Sequence, residues 1–154
     1  MAPDLTSIQN FLQLSPTLAT AGQPRREQFA LVAGAGYEAV INLAIPTSLD
    51  GVPDEAELFA ELGLGYYHIP VEWENPSTED LLQFFDLMDL LEGQKVFVHC
   101  ARNMRVSAFI FLYRVLRQGR PAAACTPDLE KIWQPNGVWE DFIQKNVNRD
   151  KGAV

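Results

Sequence analysis

The chain has 154 residues, of which 47% are hydrophobic and 21% are charged, and its formal net charge is −8. This length and composition are typical of one globular domain with a single core. No apolar run approaches the roughly 18 residues that a membrane span needs, and no basic-then-apolar signal segment follows Met1, so we expect neither a span nor a secretory leader. The acidic body argues against nucleic acid as a partner, because that partner requires a basic face.

The charge is distributed unevenly along the chain. Residues 1–100 contain 3 Lys and Arg against 15 Asp and Glu, whereas residues 101–154 contain 9 against 5. The basic surplus begins directly after Cys100. This distribution favours a local site for an anionic substrate in the last third of the chain.

The first half of the chain predicts strands that alternate with helices. Pro24 can open a helix, and Gly34 and Gly36 end it. Apolar and β-branched runs predict the strands, and apolar residues at helical spacing predict the helices. The predicted strands cover 11–14, 37–43 and 65–71, and the predicted helices cover 24–34 and 54–62.

The second half begins with a helix that Ser77 caps and that runs to Leu91. A strand follows at 95–99, and then helices at 106–116, 128–133 and 138–146. Strands that alternate with helices predict an α/β fold: a single domain over 1–154, with its core at 10–146 and frayed termini. We expect a mostly parallel central sheet of four to five strands with helices on both faces.

The segment KVFVHCARNMRVS, residues 95–107, carries the main chemical signal. A buried strand ends at His99, Cys100 follows it, and Arg105 lies where the next helix begins. A thiol beside a helix N-terminus and a guanidinium is favoured as thiolate, and the same groups attract an oxyanion. A buried structural Cys with a solvent-facing Arg is the alternative; the His-Cys pair and the spacing to Arg105 favour the functional interpretation.

Cys100 and Cys125 are the only cysteines. Two cysteines are too few for a disulfide scaffold, and Cys100 is already the candidate reactive thiol. This use of cysteine indicates a reducing cytoplasm. No His and Cys cluster has the spacing of metal ligands, so we expect no metal and no cofactor.

The motif VHCARNMRVSAF resembles the phosphate-binding loop of cysteine-dependent protein tyrosine phosphatases, in the small dual-specificity-like branch. The closest likeness is to a bacterial phosphatase-like family once called a domain of unknown function and related to the phosphatase domain of beta-lactamase-hydrolase-like proteins. AGQP, AVINL, YYHIPVEWENPS and IWQPNGVW fit that family in order, so the likeness covers about residues 10–145. The resemblance implies a tyrosine-phosphatase-like fold and a phosphorylated protein or small phosphate ester as substrate.

The resemblance also implies roles for individual residues. Cys100 would be the nucleophile that takes the phosphoryl group, and Arg105 would bind the phosphate. His99 would orient the loop and support the thiolate. Backbone N–H groups would complete the phosphate site, from Ala101, Arg102, Asn103 and Met104.

The loop departs from the wider superfamily in three ways. Four residues rather than five separate Cys100 from Arg105, as in the bacterial family. Asn103 stands in place of the usual Gly, and Asn tolerates the left-handed conformation best among the other residues. Val106 replaces the usual hydroxyl residue, and Ser107 follows it; Ser107 either stabilises the leaving thiolate or bonds back within its helix.

The general acid is the open point of the site. Phosphatases of this kind carry an Asp on the loop after a strand, and Trp73 occupies that place here. Glu72 and Glu74 flank Trp73, and we favour Glu72 as the acid. Two solvated loop carboxylates, with neither acting as acid, are the alternative.

The predicted function is hydrolysis of phosphate monoesters, phosphotyrosine or related, through a cysteinyl-phosphate. A rhodanese-like sulfurtransferase that carries a persulfide on Cys100 is the alternative, because such enzymes also use a Cys-to-Arg loop. The helical chain after Leu116 argues against it. A non-catalytic phosphate-binding module is a third hypothesis, but binding alone needs no thiol. The sequence leaves the physiological substrate and the oligomeric state open.

Overall fold

The computed structural model describes residues 4–48 and 50–152. Within these ranges the chain forms five strands and six α-helices. The elements in chain order are β1 (Leu12–Ser15), β2 (Leu18–Ala21), α1 (Phe29–Gly34), β3 (Ala39–Asn42), α2 (Glu55–Glu61), β4 (Gly65–His68), α3 (Thr78–Leu90), β5 (Val96–His99), α4 (Met104–Leu112), α5 (Ala122–Glu130) and α6 (Gly137–Gly152). Short 3₁₀ turns at Leu5–Ser7 and Arg26–Gln28 and a π-helical turn at Tyr113–Arg117 complete them.

One sheet with the strand order β1-β2-β5-β3-β4 forms the centre of the fold. β2, β5, β3 and β4 are parallel, and β1 joins the edge of β2 in the antiparallel direction. His99, the last residue of β5, lies level with Ala21 of β2 and Asn42 of β3. The loops after these three strands therefore open on one edge of the sheet, where ligands bind in folds of this class.

Helices cover both faces of the sheet, because side chains alternate along each strand. Phe97 of β5 lies in a cluster with Phe29 and Phe59, on the face covered by α1 and α2. Val96 and Val98 lie in the larger cluster, on the face covered by α3, α4, α5 and α6. The predicted α/β class, with a mostly parallel sheet between helical layers, is confirmed.

β2 is the element that the sequence analysis missed. Its residues Leu-Ala-Thr-Ala include two alanines with low strand propensity, so no strand pattern stands out. Ala19 and Ala21 are fully buried against the neighbouring strand and helices. Small side chains are needed there because the strand lies between β1 and β5 beneath packed helices.

The helical C-terminal part differs from the prediction in its boundaries. The helix predicted at 128–133 begins instead at Ala122, directly after Pro121, and contains Pro127. Three successive alanines start this helix, and their high helix propensity outweighs the one backbone hydrogen bond that Pro127 cannot donate. α6 continues to Gly152, beyond the predicted end at 146. None of the helices in the described ranges is both long and apolar enough to cross a membrane.

Phe109 of α4 occupies the centre of the larger core. It is fully buried, and its ring lies 5.7 Å from Phe84 and 6.0 Å from both Trp139 and Phe142. Phe109→Ala is expected to lower the free energy of unfolding by about 3–5 kcal/mol, because it leaves a cavity beside the rings that α3 and α6 contribute. Leu82→Ala, at a position that is 40% exposed, is the control and should cost less than about 1 kcal/mol. Urea denaturation followed by tryptophan fluorescence measures both; similar costs would contradict this description of the core.

Candidate active site

Cys100 lies at the carboxyl end of the central strand, where the chain turns into α4. Its side chain is 1% exposed. The residues from Cys100 to Arg105, called the phosphate loop below, surround a cavity of about 260 Å³. The loop contributes most of the cavity wall, and one residue from the loop after β4 completes it: the lining is Cys100, Ala101, Arg102, Met104, Arg105 and Trp73.

The backbone of the phosphate loop leaves several N–H groups without protein acceptors. In the part of the chain that the structure describes, the N–H groups of Ala101, Arg102, Met104 and Arg105 donate to no protein atom. Unpaired N–H groups at a helix N-terminus attract an anion. The cavity is therefore suited to a group with several oxygen acceptors, such as a phosphoryl group.

Asn103 makes the turn between strand and helix. Its φ angle is 66°, the left-handed conformation that the sequence predicts for the residue in place of glycine. The side-chain amide donates to the carbonyl oxygen of Asn10 at 2.8 Å and to Thr20 Oγ1 at 3.0 Å. These bonds fix Asn103 in a conformation that most side chains avoid.

Arg105 is held at the cavity by the loop after β4. It is 7% exposed, and its Nη1 donates to the carbonyl oxygen of Val71 at 2.9 Å. A guanidinium has five donors, so this one bond leaves others for a phosphate in the cavity. Arg102 also lines the cavity, but its side chain is exposed to solvent.

The turn after β2 supports the phosphate loop from behind. The Gln23 N–H donates to the carbonyl oxygen of Ala101 at 3.0 Å. Gly22 lies so close to that carbonyl that a Cβ atom there would be 2.8 Å from the oxygen and 2.8 Å from Gln9 Cγ. The sequence motif AGQP therefore contributes directly to the site, although the sequence analysis assigned it no role there.

His99 belongs to a buried polar network rather than to the cavity wall. Its Nε2 lies 2.6 Å from Glu55 Oε2, and its Nδ1 lies 3.2 Å from the carbonyl oxygen of Cys100. The other oxygen of Glu55 accepts a hydrogen bond of 2.7 Å from Gln23 Nε2. Burial raises the pKa of Glu55, but the His99 ring, Gln23 and Tyr66 outweigh burial and hold the pKa below its usual value.

Glu55 is the functional candidate that the sequence analysis did not find. It is the first residue of α2 and is only 4% exposed. In the sequence it looks like one of the acidic residues that commonly begin helices. Only the pairing of the strands brings it to His99, 44 positions further along the chain.

Ser107 makes its hydrogen bonds within α4 and to a tryptophan. Its hydroxyl donates to the carbonyl oxygen of Met104 at 2.9 Å and accepts from Trp133 Nε1 at 3.0 Å. Among the described residues it has no hydrogen bond to Cys100. Of the two roles considered for Ser107, the structure shows the hydrogen bond within its own helix, to the Met104 carbonyl oxygen.

The predicted general acids lie outside the cavity wall. Glu72 and Glu74 are both exposed, and neither lines the cavity. Trp73 between them does line it and is 42% exposed. The cavity beside Cys100 is therefore lined by the indole of Trp73 and by neither of the flanking carboxylates, those of Glu72 and Glu74.

Trp73 is held in place by the two other tryptophans of the chain. Its ring lies 5.4 Å from Trp133 and 5.6 Å from Trp139. Trp139 Nε1 donates to the Trp73 carbonyl oxygen at 2.8 Å. Contacts on both ring and backbone fix the loop after β4 beside the cavity.

Comparison with solved structures identifies the family. A protein from Shewanella putrefaciens CN-32, described as a candidate phosphatase of family DUF442, is 36% identical to this chain; the alignment covers 94% of this chain and 95% of that one, with a TM-score of 0.83. The chain belongs to the DUF442 family. The family membership confirms the resemblance seen in the sequence. No family model matches the chain, and no curated protein matches it either.

More distant structures share the fold of this DUF442 protein. TpbA from P. aeruginosa, solved as a cysteine-to-serine variant with phosphotyrosine, is 20% identical with a TM-score of 0.66, covering 99% of this chain and 88% of its own. The core catalytic domain of the PP-IP phosphatase SIW14 from S. cerevisiae is 18% identical with a TM-score of 0.73, covering 89% and 85%. These likenesses establish a tyrosine-phosphatase-like fold.

Gly22→Ala is expected to disturb the phosphate loop of this DUF442 protein. The added Cβ would meet the Ala101 carbonyl oxygen at 2.8 Å, so the loop must shift, and displacement of reacting groups reduces the rate steeply. We expect kcat/KM for an aryl phosphate to fall about tenfold or more. Gly34→Ala is the matched control, since a Cβ there meets nothing within 4 Å. Equal kcat/KM for the two variants would show that the close approach at Gly22 has no functional consequence.

Proposed function

We propose that this protein hydrolyses phosphate monoesters through a cysteinyl-phosphate intermediate on Cys100. The observation that supports this most directly is the composition of the cavity: a thiol, a guanidinium and unpaired N–H groups line the same cavity. Membership of a family described as phosphatases supports the same reaction class. A purely binding module would not need the thiol.

The reaction has two steps. The Cys100 thiolate attacks phosphorus, the bond from phosphorus to the ester oxygen breaks, and that oxygen leaves with a proton. Water then attacks the phosphorus of the cysteinyl-phosphate, the phosphorus–sulfur bond breaks, and the thiolate and inorganic phosphate are released. Arg105 and the loop N–H groups stabilise the equatorial oxygens in both transition states, so the phosphoryl charge is neutralised by groups of the chain itself.

Aryl phosphates, phosphotyrosine among them, fit the cavity best. Trp73 forms an aromatic wall over the cavity, and Cys100 lies at its buried end. An aryl ring can pack against an indole, and it carries the phosphate further from its attachment point than the side chain of phosphoserine does. The proposed substrates are phosphorylated proteins or small aryl phosphate esters. Both cysteines are free, which fits the proposed cytoplasmic location.

A sulfurtransferase reaction is the alternative that the experiment must distinguish from hydrolysis. Rhodanese-like enzymes end with a further strand and a Gly-rich turn, whereas the described chain after β5 contains only helices and their connections. The family member found by comparison is also described as a candidate phosphatase. We therefore prefer hydrolysis, and the assays below include sulfur transfer.

Cys100→Ser is expected to reduce aryl phosphate hydrolysis to background while the fold is kept, because a hydroxyl is far less ionised than a thiol. The native protein, quenched in acid during turnover, should carry one phosphoryl group on the peptide that contains Cys100. Cys125→Ala is the matched control and should keep full activity, since Cys125 is buried away from the cavity. Activity in Cys100→Ser would exclude the covalent mechanism, and transfer of sulfur from thiosulfate to cyanide by the native protein would favour the alternative.

The role of Glu72 is testable through the leaving group. We propose that Glu72 protonates the leaving oxygen, by a movement of its exposed side chain toward the cavity mouth. Loss of a general acid costs about 10²–10⁴-fold where the leaving group needs a proton. Glu72→Gln should therefore slow alkyl phosphates by a factor in this range and leave nitrophenyl-type esters nearly unchanged. Glu74→Gln is the comparison. If neither variant steepens the dependence on leaving-group acidity, neither glutamate is the acid.

A further inference from the structure

Glu55 joins two hydrogen-bonded arms that reach neighbouring carbonyl groups of the phosphate loop. One arm runs from Glu55 Oε2 through the His99 ring to the carbonyl oxygen of Cys100, with distances of 2.6 Å and 3.2 Å. The other runs from Glu55 Oε1 to Gln23 Nε2 at 2.7 Å, and the Gln23 N–H holds the Ala101 carbonyl oxygen at 3.0 Å. The three side chains are buried, with exposures of 4%, 0% and 3% for Glu55, His99 and Gln23.

The direction of these two carbonyls determines the direction of two N–H groups. A trans peptide is planar, and its C=O and N–H point in opposite directions. The Cys100 carbonyl shares a peptide with the Ala101 N–H, and the Ala101 carbonyl shares one with the Arg102 N–H. Because both carbonyls are held toward the buried network, both N–H groups point away from it. These are two of the N–H groups that have no protein acceptor in the described chain and that belong to cavity-lining residues.

We propose that Glu55 is a positioning residue that orients the phosphate loop for substrate, by holding His99 and Gln23 against the loop carbonyls. The inference rests on the proposed phosphatase function and adds to it a residue outside the loop. Glu55 itself does not line the cavity around Cys100, so it acts through its two neighbours.

The hydrogen bonding of the network fits this role. Both ring nitrogens of His99 face oxygen atoms, the Glu55 carboxylate at Nε2 and the Cys100 carbonyl at Nδ1. Both oxygens of the Glu55 carboxylate are thereby occupied, one by the His99 ring and one by Gln23. Tyr66 lies on the far side of Glu55 and accepts from Asn42 at 3.0 Å. The charged groups that face Cys100 across the cavity are Arg102 and Arg105, and they remain unchanged in the variants below.

The main test replaces Glu55 by Gln, which keeps the size and removes the charge. The probe is inorganic phosphate, measured by its protection of Cys100 from iodoacetamide, with the modified peptide quantified by mass spectrometry. We expect about tenfold weaker phosphate protection in Glu55→Gln and a fall in kcat for an aryl phosphate of up to about 10²-fold, the cost of misplaced reacting groups.

Asp54→Asn is the matched control. Asp54 precedes Glu55 in the chain and is paired with Arg26 at the surface, and among the described residues its side chain has no hydrogen bond with Glu55, His99 or Gln23. It should keep native phosphate protection and kcat. A role of Glu55 in stability alone would lower the melting temperature of Glu55→Gln without changing phosphate protection or kcat, and that outcome would overturn the positioning role.

A second variant keeps the inference testable if Glu55→Gln does not fold. Gln23→Met removes the Nε2 donor of one arm and leaves the pair of His99 and Glu55 in place, so phosphate protection should weaken by a smaller factor. Native phosphate affinity in a folded Glu55→Gln or in Gln23→Met would overturn the positioning role. If the native protein hydrolyses aryl phosphates while these variants keep native phosphate affinity, the proposed function stands and only the positioning role is overturned. Absence of phosphate protection in the native protein would overturn both.

Discussion

The active-site structure depends on one requirement of the backbone: the loop after β5 must present N–H groups that the protein itself leaves unpaired. A buried donor without a partner costs about 1–3 kcal/mol, so a loop left to itself would turn its peptides to satisfy them. Here the carbonyls of Cys100 and Ala101 accept hydrogen bonds on the side away from the cavity. The peptides cannot turn without losing these bonds, and the unpaired N–H groups are available to an anion.

The rest of the fold follows from this requirement. The register of the sheet places the ends of β2, β3 and β5 at one level. The turn after β2 therefore reaches the Ala101 carbonyl through Gln23, and Gly22 has to lack a side chain to come that close. The loop after β3 returns into α2, whose first residue meets His99. A parallel sheet thus collects around Cys100 groups that are far apart in the chain.

The parts of the site that were predictable from the sequence are those that depend on neighbours in the chain. Cys100 and Arg105 are separated by a loop whose length and composition indicate an anion site, and Asn103 has the left-handed conformation expected of the residue that replaces glycine. Glu55 was not predictable, since an acidic residue at a helix start is ordinary and its partner is set by strand pairing. β2 was not predicted for the same reason. Its two alanines show no strand pattern, and only their burial against β5 in the folded protein explains why they suit a strand.

The loop after β4 shows how local sequence leaves a site undetermined. The sequence places two glutamates around Trp73, and either could face the cavity; the structure turns the indole inward because Trp133 and Trp139 pack against it. These two residues lie sixty and more positions further along the chain, after α4. Their effect on the chemistry is direct. An indole cannot donate a proton to a leaving oxygen, but it can hold an aryl ring, and an aryl oxygen needs less protonation than an alkyl oxygen. Under the proposed hydrolysis, the packing that removes a carboxylate from the cavity wall is therefore expected also to favour the substrates that depend on one least.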